Sequence, residues 1–176
     1  MTDFIPPAKP IVGEDEIAAV TRGIRSGMLA QGPEVKAFEE EFSAHFGLGR
    51  ACVAVNSGTS GLHLGLLSSG VGVGDEVIVP SFTFAATANS VALTGATPVF
   101  ADIEPDTFCL DPASVESAIT ERTVGIMPVH LYGHPASMGP LRELADRHGL
   151  KSVSYTHLRA HETVLDLVCR LLLEKQ

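Results

Sequence analysis

The sequence predicts an α/β fold, a mostly parallel sheet with flanking helices. Three observations carry this. Short apolar runs at Glu76–Pro80, Thr97–Ala101 and Thr123–Val129 lack polar alternation, as in strands buried on both faces. Segments of helical period lie between them, which is the order of parallel α/β units. The stretch ACVAVNSGTSGLHLGLL, residues 51–67, reads as a strand, a small polar turn and the start of a helix.

The elements follow in order. Glu14–Ser26 is a helix with Ile17, Val20 and Ile24 on one face. Acids fill its first turn and Arg22 and Arg25 its last, which suits the helix dipole. Gly32-Pro33 punctuates. Val35, Phe38, Phe42 and Phe46 then mark the apolar face of a second helix, closed by Gly47. Ala51–Val55 is the first strand, and the helix after it runs through Leu67. Gly70, Gly72 and Gly74 form a turn whose spacing is not the dinucleotide fingerprint. Glu76–Pro80 is the second strand. Ser81 or Thr83 caps a helix that reaches Leu93 and stops at Gly95. Thr97–Ala101 is the third strand. Asp111-Pro112 opens a short helix with Val115 and Ile119. Thr123–Val129 is the fourth strand. Met138, Leu141, Leu144 and Ala145 mark a helix ending at Gly149, and Leu150 and Lys151 begin another strand.

In such sheets, ligands gather at the carboxyl ends of the strands. After the first strand comes Asn56-Ser57-Gly58-Thr59-Ser60. A helix N-terminus offers unpaired N–H groups and the positive end of a dipole, so this turn suits an anion. Gly58 allows close backbone approach, and Ser57, Thr59 and Ser60 add hydroxyls. No Gly-Lys-Ser/Thr follows, so it is not a P-loop. The same residues also suit a plain capped helix after a buried strand. After the second strand come Phe82 and Phe84, which fit either core packing or stacking on a planar cofactor ring. Asp102, after the third, suits a turn better than catalysis. His130 and His134, after the fourth, suit a polar loop better than a metal pair, with no third ligand nearby. No metal site is expected.

The chain has 176 residues, a net charge of −9 and no tryptophan. That acidity argues against nucleic-acid binding by charge. There is no secretory leader pattern and no apolar run long enough to span a bilayer, so a cytoplasmic protein is expected. Cys52 and Cys109 are expected to be reduced.

From about Ser152 the character changes. Val153-Ser-Tyr-Thr-His-Leu-Arg-Ala-His-Glu-Thr resembles the translation of a transposase-type sequencing adapter. Leu167–Lys175 resembles the far end of the same adapter in frame. Residues 153–176 are therefore read as a non-native tail that builds no specific core, and 1–152 as part of a large cofactor-binding domain. The tail's Arg159, Arg170 and Lys175 balance Glu162, Asp166 and Glu174, so the net charge belongs to residues 1–152. His157 and His161, four apart, are set aside as a metal pair for the same reason.

Several segments together resemble the DegT–StrS family of pyridoxal-phosphate-dependent sugar aminotransferases. They are Gly13-Glu-Asp-Glu, Gln31-Gly-Pro-Glu-Val with Phe38-Glu39, and Asn56-Ser-Gly-Thr-Ser. Gly74-Asp-Glu-Val-Ile-Val-Pro-Ser-Phe-Thr-Phe-Ala-Ala-Thr-Ala-Asn89, Pro98-Val-Phe-Ala-Asp-Ile and Pro128-Val-His-Leu-Tyr-Gly-His-Pro follow. The resemblance covers nearly all of residues 5–152, in order. It implies the N-terminal part of the large domain of a fold-type-I pyridoxal-phosphate enzyme. It implies that Gly58, Thr59 and Ser60 hold the cofactor phosphate and that Phe84 stacks on its pyridine ring.

The resemblance also implies a homodimer. Its reaction moves an amino group from a glutamate-like donor to a keto-sugar nucleotide. That chemistry needs a Schiff-base lysine and an aspartate at the pyridinium nitrogen. The family places both beyond the strand that begins at Leu150, and neither is present. Lys9, Lys36, Lys151 and Lys175 lie outside the family's lysine context, so no catalytic residue is assigned and the chain alone is expected to be inactive. The alternatives are a family dehydratase, with histidine for that lysine, or a partly folded non-enzymatic fragment.

Overall fold

The computed structural model describes residues 11–157. They divide into two compact units, with the division along the chain between Asn56 and Ser57.

The first unit holds α1 (Glu14–Ser26) and α2 (Pro33–His45). In α1 the sequence supplies both ends. Gly13 N–H donates to the Glu16 carboxylate at 2.7 Å, the one half of a capping box open to a glycine N-cap, and Gly27 ends the helix in the left-handed conformation. That bond, with a second from its own N–H, holds the Glu16 carboxyl below its ordinary range. Ile17, Val20 and Ile24 share a face as expected, and that face is exposed. Along α2, Phe42 contacts Phe38 and Phe46, with ring centroids 5.8 and 4.6 Å apart, as residues four apart on a helix must.

Ala51–Val55 is the clearest departure from expectation. It forms no strand. A strand exists only by pairing, and here the Ala54 N–H goes to the Glu39 carboxylate at 2.7 Å instead of to a ladder. Val53 is 75% exposed.

The second unit is a three-layer sandwich. Its sheet has the order β2-β1-β3-β5, all parallel: β1 is Glu76–Pro80, β2 Thr97–Ala101, β3 Thr123–Ile126 and β5 Lys151–Ser152. The bounds of β1 and β2 match the sequence reading. The expected strand Thr123–Val129 is instead broken. β3 stops at Ile126, and β4 (Val129–Leu131) pairs in parallel with β6 (Tyr155–His157). Pro128 has no N–H to continue the ladder. Met127 N–H reaches Ile78 O and Val153 N–H reaches Ile126 O, which bridge the break.

Alternation along β1 feeds two cores. Val77 and Val79 join Leu62 and Leu66 of α3 (Gly58–Ser68), Val91 of α4 (Ala86–Leu93), Met127 and Val129. Ile78 joins Val115 of α5 (Pro112–Ala118), Ile126, and Leu141 and Leu144 of α6 (Met138–His148). Asp111 caps α5, its carboxylate accepting from Ala113 N–H and Ser114 N–H, as the Asp-Pro pair predicts. Neither Ser81 nor Thr83 caps α4. That helix starts later, after Ala85, with no side-chain cap. Gly95 lies in the turn from α4 to β2 with φ +84, a conformation that favours glycine, and a Cβ there would sit 2.7 Å from Val73 Cγ2.

Val153 and Ser154 are buried, and Val153 belongs to the first core. The start of the segment expected to stand apart from the fold is thus packed into it. Residues 158–176, including His161, lie outside the described residues.

Candidate functional site

The site expected from sequence is built by α3 and the loops beyond the strands. The C-terminus of α3 turns through Ser69–Asp75 into the start of β1, so its N-terminus points to the carboxyl edge of the sheet. α4 leaves that same edge after β1 and packs against α3. Two helix N-termini therefore face the edge where parallel sheets hold ligands.

At the first of them, Ser57 is the N-cap. Its Oγ accepts from Ser60 N–H at 3.1 Å and lies 3.0 Å from Ser60 Oγ. Gly61 N–H is taken by Ser57 O. Helix geometry then leaves the Gly58 and Thr59 N–H groups without intrahelical partners. Gly58, Thr59 and Ser60 are each half-buried. Backbone amides, hydroxyls and a helix dipole, with no cation built in, make a donor set that fits a phosphate monoester.

Phe84 lies in the loop between β1 and α4, on the same edge, and is 55% exposed. Its carbonyl accepts from the Thr87 N–H and hydroxyl, which fixes the loop's backbone. Phe82, two residues earlier, does not enter the core. Its ring meets that of Phe108, centroids 6.0 Å apart.

The other strand-end residues are turn formers. Asp102 Oδ1 accepts from Ile103 N–H at 2.8 Å, and Asp102 N–H donates to Ser114 Oγ at 2.7 Å. His130 Nδ1 accepts from Ala136 N–H at 3.0 Å, and His134 Nδ1 donates to Pro135 O. Among the described residues, no three of His, Cys, Asp and Glu gather as metal ligands.

Lys151 stands at the beginning of β5, on the opposite edge. Its ammonium donates to Ser69 O at the C-terminus of α3. It is a structural cation at the negative end of a helix. A cavity of about 610 Å³ lined by Lys36, Glu40, Ser43 and Arg50 lies in the first unit and holds none of the expected site residues.

Sequence reading missed Glu104, Thr107, Phe108 and Ser137. Glu104 Oε2 accepts from Thr107 Oγ at 2.8 Å, and its Oε1 from Ser137 Oγ at 3.1 Å. Ser137 precedes α6 and would ordinarily cap it, but its hydroxyl is spent on Glu104 instead. No local signal marks a pair 33 residues apart.

A helix start with open amide donors and an exposed aromatic residue both lie at the carboxyl edge of a parallel sheet, the edge where α/β domains hold their ligands. The chain belongs to the DegT/DnrJ/EryC1/StrS aminotransferase family, which it matches over residues 10–154. It is 47% identical over 147 residues to the spore coat polysaccharide biosynthesis protein SpsC of Bacillus subtilis (strain 168), covering 84% of this chain and 38% of SpsC. The crystal structure of S. venezuelae DesV is similar at 50% identity and TM-score 0.70, covering 78% of this chain and 37% of DesV. Bacillus subtilis NtdA, crystallised with its bound cofactor PMP, is similar at 36% identity and TM-score 0.74, covering 88% and 38%. The chain thus spans under two-fifths of the length of these relatives. Among the described residues, no helix is long and apolar enough to cross a membrane.

Proposed function

We propose that this sequence is the cofactor-binding part of a pyridoxal-phosphate-dependent aminotransferase. In this reading the whole protein moves an amino group from a glutamate-like donor to a keto-sugar nucleotide. It works as a homodimer in the cytoplasm, and residues 153–176 contribute nothing to the chemistry. The observation that carries the reading is the N-terminus of α3, with two amide donors at the same sheet edge as Phe84, in a chain of this family.

Each residue then has a task. Gly58 and Thr59 N–H groups bind the phosphate, and the Thr59 and Ser60 hydroxyls add donors. Ser57 holds the turn by bonding Ser60 N–H. The Phe84 ring packs on one face of the pyridine and keeps water from it. When bound, the cofactor supplies an electron sink for moving a proton and an amino group at carbon. No residue described here holds that proton. The lysine and the ring-nitrogen aspartate are expected beyond Lys151.

The test is turnover by the whole protein, given pyridoxal phosphate, glutamate and a keto-sugar nucleotide. An amino sugar with stoichiometric 2-oxoglutarate supports the reading. Loss of a substrate hydroxyl without nitrogen incorporation replaces it with the dehydratase reading. Amination of a free sugar alone, with the nucleotide-linked one refused, removes the substrate class.

A further inference from the structure

We propose that Phe82 and Phe108 form a second aromatic platform, beside the cofactor site, that takes the planar base of the nucleotide-linked substrate. The inference rests on the substrate class proposed above.

Two aromatic rings from separate loops meet at the carboxyl edge of the sheet. Phe82 follows β1 and Phe108 lies between β2 and α5. They are 49% and 48% exposed, with an interplanar angle of 50°. Neither joins either core cluster. A pair that packs against itself while each residue stays about half exposed offers apolar surface to a ligand. Phe82 is also only two residues from Phe84, so a molecule whose one end lies on Phe84 has this platform in reach.

The backbone of Phe108 is the independent observation. It has φ +57, a left-handed conformation that a bulky side chain rarely adopts. Such a conformation persists where the surroundings impose it, and it often marks a site. Here the surroundings do so in full. Phe108 N–H donates to Glu104 O and Glu104 N–H to Cys109 O, closing a tight loop at 2.9 and 2.8 Å. Thr107 Oγ donates to the Glu104 carboxylate and accepts from Cys109 N–H. The same carboxylate is anchored to Ser137 across the sheet edge. Nothing in the packing of the cores needs the Phe108 ring outside. These bonds fix the left-handed backbone from which the Phe108 ring meets Phe82.

Base stacking is tolerant of base identity and draws on area, so the platform takes pyrimidine or purine alike. The test uses the whole cofactor-loaded protein and two substitutions. Phe108→Gly removes the ring and relaxes the backbone, so it should fold at least as well as the parent. Phe82→Leu keeps apolar bulk without an aromatic face. Calorimetry measures free UDP and dTDP, with pyrophosphate as the base-less control. The expected result is that UDP and dTDP bind more tightly than pyrophosphate, and that each substitution weakens them roughly tenfold. Pyrophosphate affinity and cofactor absorbance should not move. Unchanged UDP and dTDP affinity in both variants, with keto-sugar nucleotide still turned over, overturns the platform alone. A parent that binds no nucleoside diphosphate overturns the substrate class and the platform with it.

Discussion

The Glu76 carboxylate, at the first position of β1, is gripped by Arg122, which lies 46 residues later, just before β3. Glu76 is 5% exposed. Thr120 Oγ donates to its Oε2 at 2.5 Å, while Arg122 Nε donates to Oε1 at 2.9 Å and a second guanidinium nitrogen bonds the same oxygen. Glu76 N–H in turn donates to Arg122 O. Side chain and backbone thus tie neighbouring parallel strands at their entry.

The Thr120 hydroxyl first, and then Arg122, hold the Glu76 carboxyl below its ordinary range. A lowered folded-state pKa gives stability that is fully present above the unfolded value, near 4.3, and is lost as pH falls through the folded value. Glu76→Gln should therefore lower the melting temperature at pH 7 and make little difference at strongly acid pH. Melting curves of both proteins across that range check it. A constant gap at all pH values would assign the loss to packing alone.

Asp111 caps α5 where the Asp111-Pro112 pair opens the helix in the sequence. Asp111→Ala leaves the Ala113 and Ser114 N–H groups without their acceptor. It should cost about 1 kcal/mol. Asp111→Asn, which keeps an acceptor, should recover most of that in urea unfolding.

Val153 tests whether residues after Ser152 belong to the fold. Its side chain is buried and its N–H holds Ile126 O. Cutting the chain after His157 should leave stability unchanged. Cutting after Ser152 should cost about 1.5–3 kcal/mol from the lost valine burial alone. Equal stability of the two truncations would restore the boundary at 153 that the adapter-like sequence suggests.

What the sequence made legible was what is local. The α1 face, the Asp111-Pro112 start, and β1 and β2 as continuous apolar runs all depend on neighbours within a few residues. So does the Ser57–Ser60 turn. What it hid depends on partners. Ala51–Val55 has strand composition, yet composition cannot provide a second strand to pair with it. Pro128 sits inside an apolar run and breaks it through a missing N–H. The Phe82–Phe108 contact and the Glu104–Ser137 bond join residues that only the fold brings together. Of the proposed site, the Ser57–Ser60 helix start and Phe84 could be named from sequence, and the frame that holds the sheet edge could not.

Gly58 gives a prediction about the proposed phosphate turn. The residue is the first of α3 and has no positive φ, so a side chain there meets no backbone penalty. Its effect should fall on the ligand. In the whole protein, Gly58→Leu should weaken pyridoxal phosphate roughly tenfold or more, the order of one lost charge-assisted hydrogen bond. The melting temperature without cofactor should stay put. Absorbance titration with pyridoxal phosphate measures the first, and unchanged affinity would move the phosphate site elsewhere.

The final prediction concerns this 176-residue chain by itself. Covalent capture of the cofactor needs a lysine beside the ring, at the carboxyl edge. Lys151 is at the other edge, with its ammonium committed to Ser69 O. Lys36 is on α2 in the first unit, 3.7 Å from Glu40. Lys151 is therefore not offered to the turn at Gly58 and Thr59. Pyridoxal phosphate added to the chain and reduced with borohydride should therefore label no single lysine stoichiometrically, and transamination should be absent. Peptide mapping reads the label, and light scattering reads the assembly. The exposed Ile17, Val20 and Ile24 face and Val53 favour irregular self-association over a defined dimer. One fully labelled lysine in a monodisperse dimer would place the catalytic residue within this sequence after all.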